Sequence, residues 1–319
     1  MKSVLTELPV EWDYAGDDDG LDAGSVSYIK FLGRKLFQEY EPNQFQVFED
    51  RLVDWLNNLD SESDQKLLLA LLVELFFVGR REFEALYRSV YGGILSQWIV
   101  DQDQLNLFDP DIDGHIRASL NSCWLCPITD SLRINSFLKV NGLKSMEHRP
   151  DWKSLVKFGD VKKIKSYMAE NKIKKIVLLE DFVGSGTQVQ EALDYVEKSL
   201  KDFNVLICPL VVCPKGDELV SKKVEKLVNV DYKPGLLIPN EAMFQRGTNS
   251  PNPELYEKFW QLFSRLQGRL GISKTEAMLG FKKTGAQVVM YSNCPNNTLT
   301  LFHRETDDWK PLFARVNRV

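Results

Sequence analysis

Histidine is scarce in this chain of 319 residues: there are 3, His115, His148 and His303, scattered so widely that no histidine-centred triad is written along it. Cysteine is little commoner, and its 5 copies make an odd number, which excludes a simple disulfide framework and favours a reducing cytoplasm. Cys123-x-x-Cys126 has no second pair at zinc-site spacing and no histidine near it in sequence, so zinc is not expected. No segment reaches the roughly 18 consecutive apolar residues of a spanning helix. The opening Met1 to Pro9 has neither the apolar core nor the basic lead of a signal peptide. A membrane role is therefore not expected. The Gly-Lys-Ser/Thr ending of a kinase-type phosphate loop is missing as well.

What remains is the composition of an ordinary globular protein, with 44% hydrophobic and 27% charged residues, so neither disorder nor a fibrous chain is favoured. The net charge of −5 hides an asymmetry. Met1 to Ser122 holds 23 acids and 10 bases, against 22 and 30 in the remainder, so the first part is near −13 and the second near +8. A basic second part suits a polyanion, whether nucleotide, pyrophosphate or nucleic acid.

The pattern along the chain changes once. Asp17, Asp18 and Asp19 between glycines read as a solvated acidic arm. Phe45, Phe48, Leu52, Trp55 and Leu56 recur at the steps of a buried helix face, and Asp60 or Ser61 is placed to cap a second helix, which continues through the apolar run Leu67 to Val78. Asp101 to Asp113 reads as a polar linker. Beyond it, apolar strands at Ser122 to Ile128, Ile176 to Leu179 and Val205 to Val212 alternate with helices. One of these helices is capped by Asp160, and another runs from Thr187 to Leu200. Shorter strands are expected at Gly235 to Ile238, Ala286 to Tyr291 and Leu299 to Phe302, and an amphipathic helix at Glu254 to Leu266. The division drawn is an acidic, helical region over residues 1–115 and an α/β domain over 116–319, its sheet mostly parallel, ending in a C-terminal β addition.

The most informative segment is Lys174-Lys-Ile-Val-Leu-Leu-Glu-Asp-Phe-Val-Gly-Ser-Gly-Thr-Gln188. An apolar strand delivers adjacent carboxylates, Glu180 and Asp181, to the edge where open α/β sheets bind ligands. Gly184 and Gly186 permit a tight turn, Ser185 and Thr187 add hydroxyls, and the following helix aims its free N–H groups at the same place. Paired acids at a strand end repel unless something cationic or hydroxylated meets them.

This segment resembles the PRPP-binding motif of type I phosphoribosyltransferases. The resemblance implies that Glu180 and Asp181 hold the ribose hydroxyls, and that Gly184, Ser185, Gly186, Thr187 and Gln188 wrap the 5′-phosphate. It also implies Mg²⁺ carried in on the substrate's pyrophosphate, with no metal ligand from the protein. Thr129, Asp130 and Ser131 follow an earlier strand, where that family keeps a pyrophosphate loop. A plain turn capping the next helix is the other reading of those three residues. There are departures: Gly184 stands where purine-salvage members often carry an acid, and Gln188 stands where a hydroxyl is usual. A second likeness, to the cofactor loop of amino-methylating DNA methyltransferases, fails for lack of their Asn/Asp-Pro-Pro-Tyr/Phe motif and because the next strand ends in Cys213-Pro214 rather than an acid.

Leu75-Phe-Phe-Val-Gly-Arg-Arg-Glu-Phe-Glu-Ala-Leu-Tyr-Arg88, Cys126-Pro-Ile-Thr-Asp-Ser131 and Cys294-Pro-Asn-Asn-Thr-Leu299 extend the likeness. Together they resemble the phosphoribosyltransferase-like proteins of bacterial conflict systems, including some retrons. That implies an anti-phage effector partnered by a defence protein or RNA, with oligomeric state left open. A non-catalytic nucleotide sensor or scaffold is the alternative. Asn296 and Asn297 are read either as ligand contacts or as turn residues. Arg80, Arg81 and Arg88 are read either as phosphate or RNA contacts or as partners of nearby acids.

Overall fold

The computed structural model of the protein describes residues 24–143, 161–246, 250 and 252–316. The acidic arm, the Asp160 cap and His148 lie outside these residues. Among them are the strands β1 (Phe76–Val78), β2 (Cys123–Pro127), β3 (Lys175–Val183), β4 (Asn204–Val212), β5 (Val230–Tyr232), β6 (Leu236–Leu237) and β7 (Val288–Met290).

The chain forms two compact units, one of Phe83–Ile238 and one made from the described residues on either side of it. Compactness thus divides the chain differently from the change of pattern near residue 115.

In the Phe83–Ile238 unit, β2, β3, β4 and β5 lie side by side in chain order, every pairing parallel. The helices Val161–Glu170, Thr187–Ser199 and Pro214–Val224 make the crossovers that parallel strands require. β3 and β4 are buried along almost their whole length, which is why they read as unbroken apolar runs rather than alternating ones. β5 and β6 continue one another along β4, Val205 facing Val230 and Val211 facing Leu236. Lys233 and Gly235 donate to Ile207 and Pro209 between them, so Pro234, which has no N–H to give, sits on the outer edge where it costs no ladder bond. Ile176, Leu178, Val189, Leu193, Val205 and Ile207 are core members between sheet and helices. At the N-terminal end of β3, buried Lys175 reaches Asp103 at 2.6 Å and Ser119 Oγ at 3.1 Å.

In the other unit, β1 and β7 pair in parallel, with Phe77 facing Val289. Around them pack the helices Phe48–Leu56, Glu62–Val73 and Pro253–Leu266. Ser61 does cap the second of these, accepting the Asp64 N–H at 3.4 Å. Arg51 is buried; its guanidinium donates to the carbonyls of Leu312 (3.0 Å) and Phe37 (2.9 Å), and burial lowers its pKa to about 10.

Several expectations need correction. Phe45 is 94% exposed, because the helix begins only at Phe48. The run Leu67 to Val78 is not one helix: it ends at Val73, and Phe76–Val78 is drawn into a strand by pairing with β7. Leu299 to Phe302 is not a strand but a 3₁₀ turn at Thr300–Phe302; its continuous apolar character reflects complete burial, which cannot distinguish the two. The C-terminal β addition is confined to β7 and isolated bridges. No helix among the described residues is long and apolar enough to cross a membrane.

Candidate functional site

Because the sheet is parallel, the C-terminal ends of β2, β3 and β4 come to one edge, and the segments that follow them build the site. β3 outruns β2: the last β2-side contact is the Ile128 N–H to Leu179 O, at 2.8 Å, while β3 continues to Val183 against β4. Glu180 and Asp181 therefore lie on a stretch of β3 with no strand on that side, and the turn after β2 fills the space.

That turn meets the acids directly. The Thr129 N–H donates to Glu180 Oε2 at 2.8 Å and the Thr129 hydroxyl to Oε1 at 2.6 Å. Ser131 Oγ contacts both Glu180 Oε1 and Asp181 Oδ1, the latter at 2.6 Å, and lies 2.6 Å from Thr129 Oγ1. Glu180 is 1% and Asp181 4% exposed. Burial, then the charge of Asp181 beside it and a hydrogen bond between the two, push the Glu180 pKa well above the usual carboxylate range, against the opposing donation from Ser131 and Thr129. Glu180 thus favours its protonated form, the expected response when two carboxyls share a dry site.

After β3 the chain turns through Gly184, Ser185 and Gly186, all buried, into the helix Thr187–Ser199. Only Gly186 takes the left-handed backbone, with φ +81°. It is the residue before the helix, and no side chain caps that end. Among the described residues, the amides of Thr187, Gln188 and Val189 take no acceptor from side chain or turn backbone, so the helix presents free donors and the positive end of its dipole. Ser185 Oγ and Thr187 Oγ1 lie 3.1 Å apart beside them. Gln188 is exposed.

The third segment was not singled out by sequence reasoning. The Cys213 N–H donates to Val183 O at 2.8 Å, tying the chain after β4 to the turn after β3. Gly216, in the helix Pro214–Val224, lies so close that a Cβ there would stand 2.8 Å from Gly184 O. Cys213-Pro-Lys-Gly216 carries a readable signal in hindsight: proline at the first helical position and a glycine one turn into a helix.

Other candidates have local partners of their own. Asn297 is buried and spends its amide on Thr284 Oγ1 (2.8 Å) and Phe281 O (3.2 Å), which is turn chemistry. Arg80 pairs with Glu41 at 2.8 Å and Arg88 with Glu84 at 3.6 Å. All five cysteines are free and buried. Burial pushes the thiols of Cys208, Cys213 and Cys294 up to about 12, so they are inert packing groups rather than nucleophiles. His303, half-buried, has Nε2 3.2 Å from Thr298 O, which accepts from it, and desolvation holds its pKa down at about 4.

A parallel sheet with paired acids and an uncapped helix start at the same strand end has the architecture of α/β proteins that receive phosphorylated ligands. The family model described as PRTase-CE matches residues 52–315, and the chain belongs to that family: it is a phosphoribosyltransferase-like protein. No curated protein and no solved structure is detectably similar to it.

Proposed function

We propose that the protein binds PRPP, or a related 5′-phosphoribosyl nucleotide, with Mg²⁺, and transfers or releases the phosphoribosyl group. Membership of the family supports a phosphoribosyl substrate. One observation carries the site: Glu180 and Asp181 lead within three residues into a turn whose helix offers uncapped amides.

In this reading the carboxyl groups receive the ribose hydroxyls, and the amides of Thr187 and Gln188, with the Ser185 and Thr187 hydroxyls, receive the 5′-phosphate. The turn Thr129-Asp130-Ser131 faces the pyrophosphate. The negative charge held on the carboxyl pair offsets positive charge that develops at the ribose C1 as the glycosidic bond breaks. Mg²⁺ carried on the ligand's phosphates would neutralise the leaving pyrophosphate.

The likeness of the outer motifs to conflict-system proteins supports a role as a cytoplasmic, retron-type anti-phage effector that acts on nucleotide pools and is restrained by a protein or RNA partner. A second reading, a nucleotide sensor or scaffold without turnover, is favoured by a specific observation: the acids are already satisfied by Thr129 and Ser131, and Gln188 points to solvent. Nucleotide profiling of cells expressing the wild type or Asp181→Asn separates them. An effector depletes or alters a phosphoribosyl pool in the wild type alone; identical pools in both strains would leave only the sensor.

A further inference from the structure

The hydrogen bonds around Glu180 and Asp181 are more numerous than a binding site at rest requires. Four oxygens, Thr129 Oγ1, Ser131 Oγ, Glu180 Oε1 and Asp181 Oδ1, form a closed set of contacts. The Thr129 and Ser131 hydroxyls, 2.6 Å apart, are presented to the carboxyl pair side by side, as two hydroxyls on adjacent ring carbons would be. Each hydroxyl has one proton to give, so the pair already fills the donor positions that a sugar diol would fill. With Glu180 and Asp181 at 1% and 4% exposure, no ligand reaches them while the turn is in place. The turn itself faces outward, Asp130 being exposed and Thr129 and Ser131 half-buried, and it begins after the last backbone bond of β2 to β3, from the Ile128 N–H to Leu179 O.

We propose that the turn Thr129-Asp130-Ser131 is an internal stand-in for a vicinal diol, and that a ribose ligand binds by exchange, its two hydroxyls displacing those of Thr129 and Ser131 from Glu180 and Asp181. This rests on the phosphoribosyl reading of the site and adds to it a mechanism of access and selection. A ligand without a free diol cannot repay the loss of the turn's contacts, so the exchange discriminates against deoxy sugars. Once displaced, the Thr129 N–H, now held by Glu180 at 2.8 Å, is free to meet the pyrophosphate end of the same ligand.

The exchange has a consequence opposite in sign to that of an ordinary binding residue. If Ser131 served only to position substrate, Ser131→Ala would weaken binding. If Ser131 competes with the substrate, its removal strips the closed state of a contact to each acid, and the ligand binds more tightly.

The test titrates wild type, Ser131→Ala and Thr129→Val with ribose 5-phosphate, 2-deoxyribose 5-phosphate and inorganic phosphate, and follows amide hydrogen exchange of wild-type residues 128–132 with and without ribose 5-phosphate. The expected result is that Ser131→Ala binds ribose 5-phosphate about tenfold more tightly than wild type, the change that follows from one net hydrogen bond of about 1.4 kcal/mol. Inorganic phosphate should bind all three proteins alike. The Thr129 amide should lose protection when ribose 5-phosphate binds. Ribose 5-phosphate binding with the Thr129 amide still protected, or weakened in both variants, overturns the exchange and leaves the phosphoribosyl site standing. Phosphate binding with no preference for ribose 5-phosphate in any of the three proteins overturns both together. The exchange measurement is made on the wild type, so it decides the question even where a variant folds poorly.

Discussion

Gly216 offers a prediction in which two effects of known sign oppose each other. The residue lies in the helix Pro214–Val224 with ordinary backbone, and replacing a helical glycine by alanine is worth about 1 kcal/mol in propensity. Against this, the new Cβ would stand 2.8 Å from Gly184 O, 2.9 Å from Val183 Cγ1 and 3.0 Å from Val183 O. Two of these are backbone carbonyls, and that of Val183 already accepts the Cys213 N–H at 2.8 Å, so neither retreats without loosening the junction of the two turns. Overpacking of this kind costs about 1–3 kcal/mol, which leaves Gly216→Ala less stable than wild type by about 1 kcal/mol. Gly92→Ala supplies the reference: its Cβ meets nothing within 4 Å, so the propensity gain of about 0.5–1 kcal/mol stands alone. Urea unfolding of both variants reads the difference directly. Gly216→Ala should also bind phosphate more weakly, since Val183 and Gly184, which lead into the phosphate turn, are what it displaces. A Gly216→Ala protein as stable as Gly92→Ala would show that the two turns are not in the contact described.

Other outcomes follow from the buried groups. Asp103→Asn leaves the Lys175 ammonium, 6% exposed at its side chain, without its anionic partner; a loss of about 1–3 kcal/mol in urea unfolding is expected, less than for a fully buried pair because Asp103 is 29% exposed. His303 is held at about 4 against an ordinary 6.5, so the unfolded chain binds the extra proton between those values and stability falls as the pH drops through that window. The fall amounts to about 3 kcal/mol, and thermal unfolding of His303→Asn between pH 7 and 4 should lack it. Glu180 runs the other way: its raised value gives stability that is complete below the ordinary carboxylate range and is lost as the pH rises through the raised value. Glu180→Gln should flatten that decline, and an unchanged slope would mean that Glu180 is not protonated in the folded protein.

Much of the site was legible because its parts are contiguous. Strand, acids, turn and helix follow one another from Lys175 to Ser199, and each is a local consequence of composition: an apolar run long enough to be buried on both faces, glycine where φ must be positive, and no capping side chain before Thr187. Thr129 and Ser131 were named as a pyrophosphate loop or a plain turn, but their contact with Glu180 and Asp181 was not legible, because they lie about fifty residues away and meet the acids only through the parallel register of β2 on β3. The β1–β7 pairing joins Phe76 to Val288, a separation over which no periodicity informs, and it converts the end of an expected helix into a strand. Phe45 misled for a simpler reason: spacing counts a residue into a helical face without saying where the helix begins.

The central claim is that Glu180, Asp181 and the amides opening the helix at Thr187 form one ligand site. Isothermal titration of PRPP with MgCl₂ into wild type and Asp181→Ala tests it most directly. Saturable binding to the wild type is expected, weakened at least tenfold in Asp181→Ala, the loss of about 1.4 kcal/mol that removing one charged hydrogen-bond acceptor entails. Equal binding by the two proteins would contradict it.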